Sequence, residues 1–181
     1  MAASKVKVKL PLEYLKRGTV VALTPKDRST IYGGFVIVSK GELRALQQLP
    51  QDFLESRPDI QKKAKRCFEI NGLWINRREA SCLDRFKMYS VCFLQIMKNF
   101  SLGKHYFVYA FDANNSRLEE FFSSFNSERI FHGEIPPIDG MDEAAEEKVE
   151  ICSLPRLMRA AVRNPEFITQ RIPVPRRKIR A

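Results

Sequence analysis

Glu69 is the residue most suited to chemistry. It stands inside an apolar run, Cys-Phe-Glu-Ile-Asn-Gly-Leu-Trp-Ile over 67–75, broken only by Glu69 and Asn71. An ionised carboxylate is costly to bury, so its pKa should rise. A carboxyl raised in this way suits a general base that takes a proton from an ammonium group. A solvated sheet face, or a partner Arg or Lys, would explain the same residue without chemistry. Immediately downstream, Arg77-Arg78-Glu79-Ala80-Ser81-Cys82 leads into an amphipathic segment. A tight strand-to-helix turn offers unpaired amide N–H groups and a positive helix end to phosphate. Ala80 and Cys82 are small but hold the backbone to ordinary φ/ψ, and no Gly lies between Gly72 and Gly103. A plain charged surface turn is the competing reading. A helix N-terminus would also lower the pKa of the Cys82 thiol, although packing of a small residue accounts for Cys82 more simply.

Other constellations are excluded. His105 and His132 lie far apart without a Ser/Asp or Cys/Asp companion pattern, so a catalytic triad is not indicated. The four cysteines, at 67, 82, 92 and 152, form no Cys-x-x-Cys pair, so neither a zinc site nor a disulfide framework is expected. That points to a reduced, cytoplasmic protein. No Gly-rich nucleotide motif, signal-peptide core or membrane-length apolar run is present.

The chain has 181 residues, 31 basic and 21 acidic, for a net charge of +10. That length supports one domain with a real core, or one domain plus a tail. The charge is uneven. Residues 1–133 carry +9, residues 134–150 carry −6, and residues 155–181 carry +7. The sequence therefore suggests a single domain over 1–154 with an acidic insert at 134–150, followed by a basic segment over 155–181. Arg156 to Arg180 could meet a nucleic acid or another anionic partner. A non-enzymatic basic protein of a virus or mobile element is the rival reading on these grounds.

Hydrophobic periodicity supplies the elements that position these residues. Residues 5–10 read as a half-exposed strand and 11–17 as a short helical turn. Residues 19–23 and 32–38 form a hairpin across the Pro25 to Ser29 turn. Residues 41–54 have Leu43, Leu46 and Leu49 at helical spacing, broken by Pro50, and 58–66 read as a polar connector. A strand over 67–75 precedes a helix over 84–100, with Phe86, Tyr89, Phe93, Ile96, Met97 and Phe100 as its apolar stripe. Residues 105–111 form a central strand. Asn115 or Ser116 then caps a helix, Ser116-x-x-Glu119 having capping-box form, with Leu118, Phe121, Phe122 and Phe125 as its buried face. Strands over 129–134 and 149–153 and a helix over 154–162 complete the chain. The strand–helix–strand unit at 67–111 implies parallel pairing with a right-handed crossover. The fold class is α/β, of mixed α+β type, with a central mixed sheet flanked by helices.

The segments CFEINGLWINRREASCLDRF and HYFVYAFDANNSRLEEFFSSF, with the helix between them, resemble the core of the GNAT acyl-CoA N-acyltransferase superfamily. The resemblance covers about 115 residues, including the hairpin. It implies transfer of an acyl group from acetyl-CoA or a longer acyl-CoA to an amine, without a metal. It implies that Glu69 acts as base, usually through water, and that the groove between 67–75 and 105–111 holds the reaction. The cofactor would lie against Leu73 and Ile75, with its pyrophosphate on Arg77, Arg78, Ala80, Ser81 and Cys82. Asn115 matches the Asn that commonly contacts the pantetheine arm, though a helix cap explains it structurally. Where the family often has a Tyr that protonates the leaving thiolate, this chain has Phe122. Tyr89, Tyr106, Tyr109 or water are the substitutes. Only 18 residues precede the hairpin, so residues 41–66 are expected to take the place of the helices that usually build the acceptor pocket.

Overall fold

The computed structural model describes residues 10–76, 78–136 and 144–163. The strand expected over 5–10 falls outside them except for Leu10, as do Arg77 and the tail from 164 onward.

Six strands form one mixed sheet in the order β1-β2-β3-β4-β6-β5. They are β1 (Gly18–Leu23), β2 (Gly33–Val38), β3 (Cys67–Ile75), β4 (Tyr106–Asp112), β5 (Glu128–Ile135) and β6 (Ala145–Ser153). Only β3 and β4 pair in parallel; every other neighbour pair is antiparallel. The expected hairpin is the β1–β2 pair, and the connection between the parallel strands is α5 (Cys82–Ser101).

Helices cover both faces. On one face lie α1 (Leu12–Lys16), α2 (Arg44–Gln47), α3 (Gln51–Ser56) and α4 (Pro58–Ala64), which bury Tyr14, Ala45, Leu46 and Ile60 against Cys67, Val108, Val149 and Ile151. On the other lie α5, α6 (Ser116–Ser123) and α7 (Leu154–Arg163), packed around Phe68, Phe107, Tyr109 and Phe111. Alternation along each strand divides its side chains between the two cores.

Several elements differ from their sequence expectation. The connector at 58–66 contains α4, begun by Pro58, whose fixed φ suits a first helical position, and anchored by fully buried Ile60. Where the acidic segment at 134–150 is described, it is mostly sheet. Glu134 and Ile135 end β5, and Ala145 to Glu150 run in β6, between β4 and β5. Its acids find partners there: Glu147 with Gln48, and Glu150 with Tyr109 and Arg129. The helix expected over 154–162 is present as α7, with Leu157 and Ala160 buried, and the basic segment from 155 begins within it. Helix α5 is rotated from its expected stripe. Met88, Cys92, Ile96 and Asn99 face inward, while Phe93 is 45% exposed. Two apolar stripes run along this helix at the same period, and periodicity alone does not say which one meets the sheet. The cap of α6 is Asn115, whose Oδ1 accepts from the Leu118 N–H; Glu119 reaches Lys148 instead of closing a capping box.

Candidate functional site

The central feature is a gap in the sheet. β3 and β4 pair only at Cys67–Tyr106, Phe68–Phe107 and Glu69–Val108. Beyond Glu69, β3 stays bonded to β2, and beyond Val108, β4 stays bonded to β6. The facing edges therefore part at the C-terminal ends of the parallel strands, where α5 and α6 begin. A crevice in this position is where open α/β sheets bind ligands.

A bulge in β3 shapes one wall. Gly34 pairs with Trp74 and Val36 with Asn71, which leaves one extra residue on β3. Gly72 has φ +60°, a conformation that favours glycine. The bulge reverses the alternation. Cys67 belongs to the core beneath α1–α4, whereas Leu73 and Ile75 pack with the aromatic core of the other face.

Glu69 lies just before the parting and is 1% exposed. Its Oε2 accepts from the Arg44 N–H at 2.6 Å, and its Oε1 from the Ala45 N–H at 3.0 Å and from Asn71 Nδ2 at 3.2 Å. Neither a solvated face nor a charged side-chain partner explains it. The carboxylate sits on the first amides of α2. Burial raises its pKa; the bonds from Tyr14, the two amides and Asn71 oppose the rise without cancelling it. The Tyr14 phenol adjoins this carboxylate, and burial together with the Glu69 charge pushes its own pKa far up. In the same cluster Arg44 is 7% exposed, and its Nη2 has no hydrogen-bond partner. Glu147, raised by burial, is held by Gln48 at 2.8 Å and feels the charge of Arg44.

The turn after β3 is well satisfied internally. Asn76 O accepts from the N–H groups of Glu79 and Ala80, and Asn76 Oδ1 from Arg78 N–H. Ser81 caps α5 in a full capping box with Asp84: Ser81 Oγ accepts from Asp84 N–H at 3.1 Å, and Asp84 Oδ2 accepts from Ser81 N–H at 3.1 Å. These bonds hold the Asp84 carboxyl below its usual range. The amides of Cys82 and Leu83 begin the helix and lack intrahelical acceptors. Cys82 is exposed, Ala80 is buried, and Arg77 lies outside the described residues. Ala80 therefore packs inward instead of lining the turn's outer surface. A carboxylate already occupies the helix end that would receive phosphate. One turn on, Arg85 has a buried Nε without a partner.

Of the substitute tyrosines, Tyr109 is committed elsewhere. Its hydroxyl lies 2.6 Å from Ser127 Oγ and 2.7 Å from Glu150 Oε2, and its single proton goes to the carboxylate. Tyr106 begins β4, at the paired end. It lines two cavities of about 270 and 230 Å³ with Lys62, Lys63, Arg66, His105 and Arg156. These lie at the opposite end of the β3–β4 pair from the gap. The parallel order thus brings Glu69, Leu73, Ile75, the 78–82 turn and Asn115 to one end of the sheet. Sequence reasoning missed Tyr14, Arg44 and Arg85. Arg44 carried one usable signal, the lone base of the 41–54 stretch, set between Leu43 and Leu46. Among the described residues, no cluster of His, Cys, Asp or Glu could hold a metal, and no helix is long and apolar enough to cross a membrane.

Solved structures share this architecture. One is FeeM, an N-acyl amino acid synthase from uncultured soil microbes, with a TM-score of 0.54 at 13% identity, covering 82% of this chain and 80% of that one. A GCN5-related N-acetyltransferase from Brucella melitensis gives 0.53 at 10% identity, over 86% of this chain and 58% of that one. A probable acetyltransferase from Staphylococcus epidermidis gives 0.50 at 10% identity, over 77% and 70%. No protein-family model matches the chain, and no curated protein matches it in sequence. The chain has the GNAT fold in divergent form.

Proposed function

We propose that the protein is an acyl-CoA-dependent N-acyltransferase. The observation that carries this reading is the β3–β4 gap, opening between the start of α5 and the start of α6 in a GNAT-type sheet. The thioester arm of acetyl-CoA or a longer acyl-CoA enters the gap along the free edge of β3 at Leu73 and Ile75. Its pyrophosphate meets the 78–82 turn, helped by the charge of Arg78 and Arg85, and Asn115 stands at the opposite side of the opening. The amine nitrogen attacks the thioester carbonyl carbon. Glu69 first takes one ammonium proton, directly or through water, to free the nitrogen; the N–C bond then forms, the C–S bond breaks, and the second proton leaves the nitrogen to water. The thiolate takes a proton from water, since a thiol leaves readily and Phe122 offers none. The tail from Arg156 to Arg180 is a separate feature directed at an anionic partner, and truncation of 171–181 should leave turnover unchanged.

Thermal-shift titration with acetyl-, octanoyl- and palmitoyl-CoA tests this reading. Stabilisation by at least one donor, weaker with free pantetheine, is expected. No shift with any of them would overturn the reading.

A further inference from the structure

In the Glu69 cluster the Nη2 of Arg44 is buried and has no partner, and the buried hydroxyl of Tyr14 has Glu69 beside it. Buried polar groups are almost always satisfied, because a lost hydrogen bond in the interior goes uncompensated. A guanidinium is the more demanding case, since its fork presents five donors and keeps its charge. No carboxylate forms an ion pair with Arg44 among the described residues, although Glu69 accepts from its backbone N–H. Glu69 is occupied by backbone amides, and Glu147 is held by Gln48. Two carboxylates thus stand nearby, and neither is spent on Arg44.

The position is specific. Arg44 opens α2, which packs on β4, and its backbone amide is bonded to Glu69, the last β3 residue paired with β4. The unpartnered Nη2 of Arg44 and the Tyr14 phenol therefore lie on the α1–α2 face of the sheet, beside the point where the gap begins. The 78–82 turn and α5 lie after β3, on the aromatic face. A donor reaching the gap from the turn leaves the Arg44 side for the second substrate. A planar fork matches a carboxylate in bidentate geometry, and a phenol donates to the same group.

We propose that Arg44 and Tyr14 form the acceptor subsite and bind a carboxylate, so that the acceptor class is an amino acid. This rests on the acyltransferase reading. The amine of such an acceptor lies only a bond or two from its carboxylate, which brings its nitrogen to Glu69 as the carboxylate meets Arg44. Both atoms are closed off from solvent, so α1, only five residues long, must shift as the acceptor enters.

The test measures thiol release from acetyl-, octanoyl- and palmitoyl-CoA with a panel of L-amino acids, their carboxamides and spermidine. Thermal shifts are read in parallel. Amino acids should exceed their carboxamides by 50-fold or more in kcat/KM. Arg44→Lys keeps the charge beside Glu147 but loses the fork; it should raise KM for the amino acid at least tenfold, with KM for the donor unchanged. Tyr14→Phe should act in the same direction, more weakly. Thiol release that is equal for acid and carboxamide, or unaltered in Arg44→Lys, overturns the subsite and leaves acyl transfer standing. No release with any amine, but an Arg44-dependent thermal shift with amino acids, supports the carboxylate site and removes the acyltransferase reading. Neither release nor shift overturns both.

Discussion

The two faces of the sheet are built on opposite terms. Beneath α5 and α6 the interior is aromatic. Tyr109 stacks on Phe122 with ring centroids 4.2 Å apart, Phe111 on Phe122 at 5.0 Å, and Phe107 on Tyr109 at 5.8 Å. Among the described residues its buried acid is Glu150, bonded by Tyr109 and reached by Arg129. Beneath α1 and α2, Glu69, Asn71, Arg44, Gln48 and Glu147 lie among aliphatic side chains, and the Nη2 of Arg44 remains unpartnered. The first face gains its stability from area and stacking. The second gives up some of that gain and keeps polar groups available. The proposed chemistry draws on the α1–α2 side, and the aromatic side supports it.

Phe107→Ala should break the aromatic face most severely. The ring is fully buried near the start of β4, and its removal should cost about 3–5 kcal/mol of unfolding free energy, read by chemical denaturation. A loss below about 1 kcal/mol would remove the contrast between the faces.

Glu69→Gln should act on the polar face and split its effects. The new amide turns an NH2 toward a backbone N–H, costing about 1–3 kcal/mol. Turnover should fall about 100-fold or more, while donor-induced stabilisation remains. Unchanged turnover rejects Glu69 as base. The pH profile gives the sign. Below the ordinary Glu range near ~4.3 the group is protonated in folded and unfolded chain alike. As pH rises, the unfolded chain loses the proton first, so a raised group makes stability fall through its folded pKa. Glu69 and Glu147 both contribute this slope. The slope between pH 5 and pH 8 should be shallower in Glu69→Gln, as followed by thermal melts; equal slopes would show that Glu69 is not raised.

Asp84→Ala removes half of the α5 capping box. Stability should drop by about 1 kcal/mol, yet donor affinity should rise several-fold, because a carboxylate leaves the helix end proposed for pyrophosphate. Weaker donor binding would place the pyrophosphate elsewhere. Lys148→Ala is the smallest test. Its contact with Glu119 joins β6 to α6 with one partner well exposed, and the loss should stay below about 1 kcal/mol.

The fold was legible where local patterns agree with tertiary need. The run at 67–75, the hairpin and the strand at 105–111 stand close to where periodicity places them, because β-branched and aromatic alternation is a local property. The strand expected over 149–153 is the second half of β6; legibility failed in the first half, where Glu146, Glu147 and Lys148 read as part of an acidic insert. Their places in an interior strand depend on Gln48 and on Lys148's contact with Glu119, both partners far away in the chain. It failed again on α5, where two apolar stripes compete.

For the candidate site, residue type singled out Glu69, since a carboxylate within an apolar strand stands out in any sequence. The strand–turn–helix order likewise put the 78–82 turn and Asn115 at one end of the sheet, because parallel pairing follows from a crossover helix. Tertiary structure alone decided what surrounds Glu69. The α2 amides, the Tyr14 phenol and the Arg44 guanidinium come from residues 24 to 55 positions earlier in the chain, and no local spacing links them to β3. Hydrogen bonding and desolvation depend on distance in space, so the state of Glu69 and the freedom of Arg44 became definite only once the chain had folded.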